Sequence, residues 1–187
     1  MGERIEDVGS VEFARLFVSF QHTAYRLETL QRYDVSYELK PYRAFLAGEP
    51  RPPDPSKDAW TGMIRDSVAA GKRLQRVHVV IEPPTDYLRY ELEWSYAPNV
   101  AAGEDIRILP VQPGQWPDDL PRQDYWLFDS RHLWTMAYDK AGAFRYAERT
   151  DETAQIVRHA YWRDAALHLA TPYEDYMHRM RESRRAS

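Results

Sequence analysis

The chain has 187 residues, of which 43% are apolar and 13% aromatic; it contains no cysteine and has a formal net charge of -4. This composition is typical of one globular domain, and the lack of cysteine excludes disulfides and thiolate metal sites. A mildly acidic chain has no overall electrostatic attraction to nucleic acid or to anionic membranes. The N-terminal residues do not resemble a signal peptide, and no apolar run is long enough to span a bilayer. We therefore expect a cytoplasmic protein with no membrane partner and no direct nucleic-acid partner.

An amphipathic helix is predicted over residues 11–30, with Ser10 as its N-cap. Phe13, Phe17 and Phe20 recur on one stripe of this helix. Monomeric proteins rarely expose an apolar patch as large as three phenylalanines would form. We therefore expect this phenylalanine stripe to be buried within the domain.

A short half-exposed strand is predicted over residues 33–39, where apolar and polar side chains alternate. A short helix follows, beginning at Pro41 and ending at Gly48. Together with the first helix, these elements form a predicted N-terminal helix-strand-helix unit over residues 1–48. The proline-rich residues 49–56 then form a stiff surface crossover rather than a domain boundary.

The main body of the domain is predicted over residues 57–178 and contains the strongest strand signals. Apolar runs at 77–81 and 106–109 flank a helix that is expected to end near Pro98. The order strand, helix, strand predicts parallel pairing of the two strands. The later elements are two strands at 125–128 and 133–138 joined by Asp129-Ser130, a helix at 151–170, a break or restart at Pro172, and a frayed basic tail at 179–187.

These elements predict a single domain over residues 1–187 with an α+β (α/β-like) fold. Its mixed β-sheet of about five strands is flanked by helices, one of them capped by Ser56, and is preceded by the N-terminal helical unit. No internal repeat divides the chain.

Several segments together carry a family resemblance. They are Phe13-Ala14-Arg15-Leu16-Phe17, Arg76-Val77-His78-Val79-Val80, Tyr87-Leu88-Arg89-Tyr90-Glu91-Leu92, Asn99-Val100-Ala101-Ala102-Gly103-Glu104-Asp105-Ile106-Arg107 and Asp124-Tyr125-Trp126-Leu127-Phe128-Asp129. Over about residues 11–178 the chain resembles the actinobacterial domain-of-unknown-function family 6879. The resemblance implies an accessory protein of the kind often encoded beside helix-turn-helix regulators in high-GC bacteria. It carries no catalytic residue over to this chain.

The order of the later elements also looks like one half of a phospholipase-D-like domain. Catalysis in that fold needs a His-X-Lys motif, with histidine as the phosphoryl-accepting nucleophile and lysine as the phosphate clamp. The residues two places after the six histidines are Ala24, Val80, Trp134, Tyr161, Ala170 and Met180. None is lysine, so a domain of this fold would be catalytically inactive here.

Motifs for metal, nucleotide or nucleophilic chemistry are not found in the chain. No two histidines are spaced for metal binding on one helix face, and no glycine-rich phosphate loop or Gly-X-Ser-X-Gly occurs. We therefore expect no catalytic residue, no metal site and no cofactor.

Acidic and arginine residues near the predicted strand ends form a candidate ligand pocket, because open α/β sheets bind ligands beyond the carboxyl ends of their strands. The alternative is a set of ordinary ion pairs, such as an i, i+4 pair of Arg89 with Glu93. The candidate ligand-binding residues are Arg89, Glu91, Asn99, Glu104, Asp105, Arg107 and Asp124.

Aromatic residues supply candidates for partner binding, although core packing and base stacking are alternatives. Tyr90 and Trp94 lie in one aromatic segment, and Trp116 lies in the loop 111–123. Loops on a rigid scaffold commonly carry binding, and Trp116 has few local reasons to be buried, so it is the favoured anchor.

The leading hypothesis is a non-enzymatic accessory or regulatory protein that binds a protein partner, with a transcriptional regulator as one candidate. The chief alternative is a domain that senses a small molecule or nucleotide through the acidic-arginine pocket. A second alternative is an enzyme with unfamiliar acid-base residues. A deep pocket with shifted carboxylates would favour either alternative.

Overall fold

The computed structural model describes residues 2–186. The helices are α1 (Val11–Ser19), α2 (Leu39–Leu46), α3 (Pro55–Ala69), α4 (Asp86–Tyr90), α5 (Tyr96–Ala102), α6 (Thr153–Leu169) and α7 (Tyr173–Ala186). The strands are β1 (Arg4–Ile5), β2 (Thr23–Glu28), β3 (Arg73–Ile81), β4 (Asp105–Val111), β5 (Tyr125–Phe128), β6 (His132–Tyr138), β7 (Phe144–Thr150) and β8 (Thr171–Pro172).

These strands form one mixed sheet in the order β1-β7-β6-β5-β2-β3-β4-β8. The three strands β2, β3 and β4 are parallel, and every other neighbouring pair is antiparallel. The predicted mixed sheet flanked by helices is thus confirmed, as is the parallel β3–β4 unit. The sheet has eight strands in the described chain, rather than the five or so that were expected.

The central strand β3 is covered on both faces. Val77 and Val79 pack in an apolar cluster with Ala166 of α6. On the opposite face, Val80 packs in a second cluster with α4, α5 and α7. A strand covered on both sides reads as a near-continuous apolar run, which is why this strand was predictable.

The predicted helix over residues 11–30 is wrong in its length, because α1 ends at Ser19 and the strand β2 follows. β2 lies between β3 and β5 in the middle of the sheet and is almost wholly buried. The apolar residues of β2 happen to continue the helical spacing of α1 in the sequence, which explains why the helix was predicted to be too long. Phe17 and Phe20 are buried and Phe13 packs beside them, so the phenylalanine stripe is internal, as expected.

The segment between β2 and α3 also differs from its prediction. Residues 33–39 form no strand; a 3₁₀ turn at Ser36–Glu38 leads directly into α2. The crossover then ends at α3, whose N-cap is Asp54 rather than Ser56. The Asp54 carboxylate accepts a hydrogen bond from the Lys57 amide at 3.1 Å, and Pro55 occupies the first turn, where its missing N–H costs nothing.

One continuous helical segment links β3 to β4 and runs past Pro98, where the helix was expected to end. Between α4 and α5 the turn widens to a π-helix at Glu91–Ser95, and the amide of Tyr96 bonds to the carbonyl of Glu91. This change of hydrogen-bond register lies immediately before Pro98, which has no N–H to donate. The π turn also directs the buried Glu91 and Ser95 toward the sheet.

The C-terminal residues are ordered into α7 rather than frayed as predicted. Tyr173, Tyr176 and Met177 on α7 are buried against α4 and α5. The helix continues to Ala186, and the last residue of the predicted tail, Ser187, lies outside the described residues. None of the helices within residues 2–186 combines the length and apolar character that a membrane span requires.

Candidate functional site

Four charged or polar side chains project from one face of β2 and β3 into the protein interior. They are Arg26, Glu28, Arg76 and His78, none more than 8% exposed. Residues two apart on a strand share a face, and β2 pairs with β3 so that Arg26 lies beside Arg76 and Glu28 beside His78. We call these residues, together with Glu91, Tyr96, Glu104 and Asp124, the polar centre.

Two arginines connect the polar centre across the sheet. Arg76 bonds to Glu28 at 2.7 Å through Nη1 and to Glu104 at 2.9 Å through Nε. Arg26 bonds to Asp124 at 2.8 Å. Buried charges are tolerated only when they are paired and hydrogen-bonded, so each of these contacts is needed by its partner.

Asp124 is the most heavily bonded carboxylate of the polar centre. Besides Arg26, it accepts bonds from the amide and hydroxyl of Thr29 at 2.8 and 2.7 Å and from the Tyr33 hydroxyl at 2.6 Å. Asp124 therefore fixes the chain that leaves β2 onto the start of β5.

Glu104 is held by the turn that enters β4. The Asn99 side-chain amide donates to Glu104 at 2.7 Å, and the Glu104 amide donates to the Asn99 carbonyl at 3.0 Å. Lys57 of α3 donates from Nζ to the Ser95 hydroxyl at 3.1 Å. This shell of bonds joins α3 and α5 to the polar centre.

The groups around His78 offer fewer hydrogen-bond donors than acceptors. Its Nε2 lies 2.8 Å from the carbonyl of Leu30, which can only accept, so Nε2 carries the proton of the neutral ring. Its Nδ1 lies 2.7 Å from the Tyr96 hydroxyl, which also lies 2.7 Å from a Glu28 oxygen. Nδ1 and the Glu28 carboxylate thus compete for one hydroxyl proton.

The ionisation of these groups follows from burial and neighbouring charge. Burial lowers the pKa of His78, which favours the neutral ring. Burial opposes ionisation of Glu28, but Arg76 and Arg26 outweigh it and hold the pKa of Glu28 below its ordinary value. Burial, assisted by the Glu28 and Glu38 carboxylates, raises the pKa of Glu91 well above its ordinary value. Glu91 Oε2 lies 3.6 Å from His78 Nδ1, too far for a hydrogen bond, and its raised pKa favours a neutral carboxyl group beside the ring.

The seven ligand candidates from the sequence are only partly brought together. Glu91, Asn99, Glu104 and Asp124 lie at the polar centre, and the side chains of the last three are hydrogen-bonded to other groups of the protein. The remaining three lie elsewhere: Arg89 contacts Asp86 on the surface, while Asp105 and Arg107 pair with each other and Arg107 also donates to a carbonyl of α6.

Sequence reasoning did not identify Arg26, Glu28, Arg76 or His78 as site residues. The available signal was the pair of sequences Arg-Leu-Glu and Arg-Val-His, in which charged or polar residues alternate within otherwise buried strands. Residues 2–186 contain no group of three or more histidine or acidic side chains arranged to hold a metal ion.

The three partner-binding candidates differ in their surroundings. Tyr90 is buried and Trp94 half-buried beneath α2, where the Phe45 ring centroid lies 5.8 Å from that of Tyr90 and 5.3 Å from that of Trp94. Trp116 is half-buried against the cluster under α6, donates from Nε1 to the Leu120 carbonyl at 3.1 Å, and is stacked by Arg122 at 4.6 Å. Tyr90 and Trp94 are thus covered by α2, whereas Trp116 is not.

Comparison with known proteins identifies a family and a fold. No curated protein matches the chain. The fold is similar to that of Nuc, a phospholipase D family member from Salmonella typhimurium, with a TM-score of 0.52 and 10% identity, over 91% of this chain and 99% of that one. At this identity the likeness concerns the fold alone. Residues 11–178 match the family model described as a domain of unknown function, DUF6879. The chain therefore belongs to the DUF6879 family.

Proposed function

We propose that the chain is a non-enzymatic accessory protein that binds a protein partner through the loop 111–123. The observation that carries the proposal is the fixed position of Trp116, held by its bond to Leu120 and by the stacked Arg122. Residues 112–115 of the same loop are exposed beside it. A loop that is already ordered loses less conformational entropy when a partner binds.

The filled state of the polar centre supports binding at the surface rather than inside the fold. Glu28, Glu104 and Asp124 each already accept two or more bonds from groups of the protein. An external ligand would have to replace buried ion pairs, and breaking such a pair costs about 3–5 kcal/mol. We therefore favour partner binding over ligand sensing or catalysis at this centre.

The charge of the loop indicates the chemistry of the partner. Asp118 and Asp119 are exposed at its tip, whereas Arg122, the basic residue of the loop, is stacked on Trp116. An acidic tip is complementary to a basic protein surface. DNA-binding regulators carry such surfaces, so we propose a helix-turn-helix regulator as the partner.

The test uses two purified proteins, this chain and the helix-turn-helix regulator encoded nearest to it. Asp118→Lys combined with Asp119→Lys is expected to weaken binding by at least about tenfold, a loss of about 1.4 kcal/mol. Glu6→Lys combined with Glu49→Lys reverses two exposed acids elsewhere and changes the net charge equally, so it serves as the control. Charge reversal is preferred to Trp116→Ala, because half-buried Trp116 also contributes to folding.

Three results would contradict the proposal. Failure of the wild-type chain to bind the regulator would remove the proposed partner class. Equal binding by both double variants would remove the loop as the binding surface. An equal loss of binding in both double variants would indicate that net charge alone attracts the regulator.

A further inference from the structure

A cleft of about 920 Å³ opens at the carboxyl ends of the parallel strands β3 and β4. The start of α4 forms one wall and the last turns of α7 form the other. Pro83, Pro84, Pro110 and Met180 supply apolar surface. The crevice beyond the carboxyl ends of parallel strands is where open α/β sheets bind ligands.

Three arginines line this cleft, from two elements far apart in the sequence: Arg89, Arg179 and Arg184. Arg89 contacts Asp86 at 3.4 Å, and Arg184 contacts Glu93 at 2.9 Å. Exposed ion pairs of this kind contribute little stability, so an incoming anion can replace them at small cost. Arg179 donates to the neutral hydroxyl of Thr171 and has no carboxylate partner among the described residues.

The lining of the cleft is rich in arginine although the chain as a whole is acidic. The lining has two acidic residues, Glu82 and Asp86, against three arginines, and Glu93 lies just outside it, paired with Arg184. Glu82 already accepts a bond from the Tyr176 hydroxyl at 3.2 Å. The Nε atom of Arg89 is buried and has no hydrogen-bond partner within residues 2–186. A buried donor without an acceptor is costly, and rotation of the Arg89 side chain toward an anionic oxygen in the cleft would satisfy it.

We infer that this cleft binds a small molecule that carries a phosphate or carboxylate group on an apolar body. The three arginines receive the anion, and the proline and Met180 surface receives the apolar part. The cleft adjoins the proposed partner loop at Gln112, but the two tests are separate, because Asp118 and Asp119 do not line the cleft.

The probes are phenyl phosphate, benzoate, inorganic phosphate and phenol, each titrated against the full chain. Methyl-labelled methionine gives a local NMR readout, because Met180 lines the cleft and the chain has only five methionines. Phenyl phosphate or benzoate is expected to shift the Met180 signal, and to bind at least about tenfold more tightly than phenol. The stronger of these two probes distinguishes a phosphate ligand from a carboxylate ligand.

The cleft variant combines Arg89→Gln, Arg179→Gln and Arg184→Gln, and is expected to weaken binding of the stronger probe by at least about tenfold. The control combines Arg43→Gln, Arg73→Gln and Arg145→Gln, three exposed positions outside the cleft with the same change of net charge. Thermal melting of both variants establishes that they are folded. The inference is overturned if wild type shows no Met180 shift with either anion, or if the cleft and control variants bind equally.

Discussion

Glu91 lies beside His78, in the part of the polar centre where hydrogen-bond donors are fewer than acceptors. Its Oε2 atom is buried without a hydrogen-bond partner in the described chain, close to His78. Because burial raises the pKa of Glu91, the folded protein retains a proton that the unfolded chain releases above about pH 4.3. The protonated Glu91 carboxyl group thus adds no negative charge to the polar centre, and the folded protein loses stability as the pH rises.

The substitution Glu91→Gln should remove this dependence of the free energy of unfolding on pH. Wild type takes up a proton at Glu91 on folding, so this group lowers the free energy of unfolding by up to about 1.4 kcal/mol for each pH unit above its ordinary pKa. Glutamine cannot ionise, so the variant should gain stability relative to wild type as pH rises from about 5 to 8. Urea unfolding across this range measures the difference between the two proteins.

Taking the difference from wild type cancels the contribution of His78, whose lowered pKa acts in the opposite sense below about pH 7. Glu49→Gln, at an exposed position, is the control and should follow the wild-type curve. A Glu91→Gln curve parallel to wild type over the whole range would mean that Glu91 is ionised in the fold.

Asp124→Asn should be among the most destabilising single changes at the polar centre. The asparagine side chain is nearly isosteric, but it removes the counter-charge of Arg26 and presents an amide to several donors. Loss of one member of a buried pair costs about 3–5 kcal/mol. Chemical denaturation measures the loss, and Asp118→Asn in the exposed loop should change stability by less than about 0.5 kcal/mol. Equal effects of the two changes would show that Asp124 is not needed for folding.

At the scale of elements, the predictions were most accurate where turn-forming residues mark the ends of an apolar run. β3 ends before Pro83-Pro84, and β5 joins β6 through Asp129-Ser130, both at positive φ as a tight hairpin requires. β7 was not predicted, because its side chains are mostly half-exposed and its charged residues conceal the alternation. β2 was assigned to a helix, because burial on both faces removes the period of two.

The candidate site was less predictable than the fold, for a physical reason. Asn99, Glu104 and Asp124 were recognised because they lie near ends of predicted elements, and Glu91 because it lies in the helix between the two predicted parallel strands. Their partners lie on β2 and β3, up to 98 positions away in the case of Arg26 and Asp124. Pairing of that range follows from strand order, which local spacing does not contain.

The turn between α5 and β4 depends on Gly103. Gly103 has φ +106°, and a Cβ there would lie 3.1 Å from the Val68 side chain. Gly103→Ala should therefore lower the melting temperature, with a destabilisation of about 1–2 kcal/mol. Gly62→Ala, inside α3 and close to nothing but the end of Arg65, should instead stabilise by about 0.5–1 kcal/mol. Opposite shifts are expected in thermal melting, and an unchanged melting temperature for Gly103→Ala would contradict this account.

Across the whole molecule, the two faces of the sheet have different compositions. The face under α6 is packed with apolar residues, whereas the opposite face carries the polar centre between α3 and α5. Charged pairs at this position join β2 and β3 to Glu104 before β4 and to the start of β5, and the bond from Lys57 to Ser95 adds the π turn. The polar centre is occupied by these internal bonds, and both binding sites that we propose, the cleft and the loop 111–123, lie at the surface instead.

The fold resembles that of a phospholipase D family member, yet we predict that the pure protein does not hydrolyse a generic aryl phosphodiester. A histidine nucleophile needs an accessible ring nitrogen, whereas His78 is fully buried and both of its nitrogens contact Leu30 or Tyr96. Two positions later on the same face of β3 stands Val80, packed in an apolar cluster, where a phosphate clamp would need lysine. Release of the aryl alcohol, followed by absorbance, should equal the rate without protein. Turnover that disappears when any one of the six histidines is replaced by glutamine would overturn the prediction.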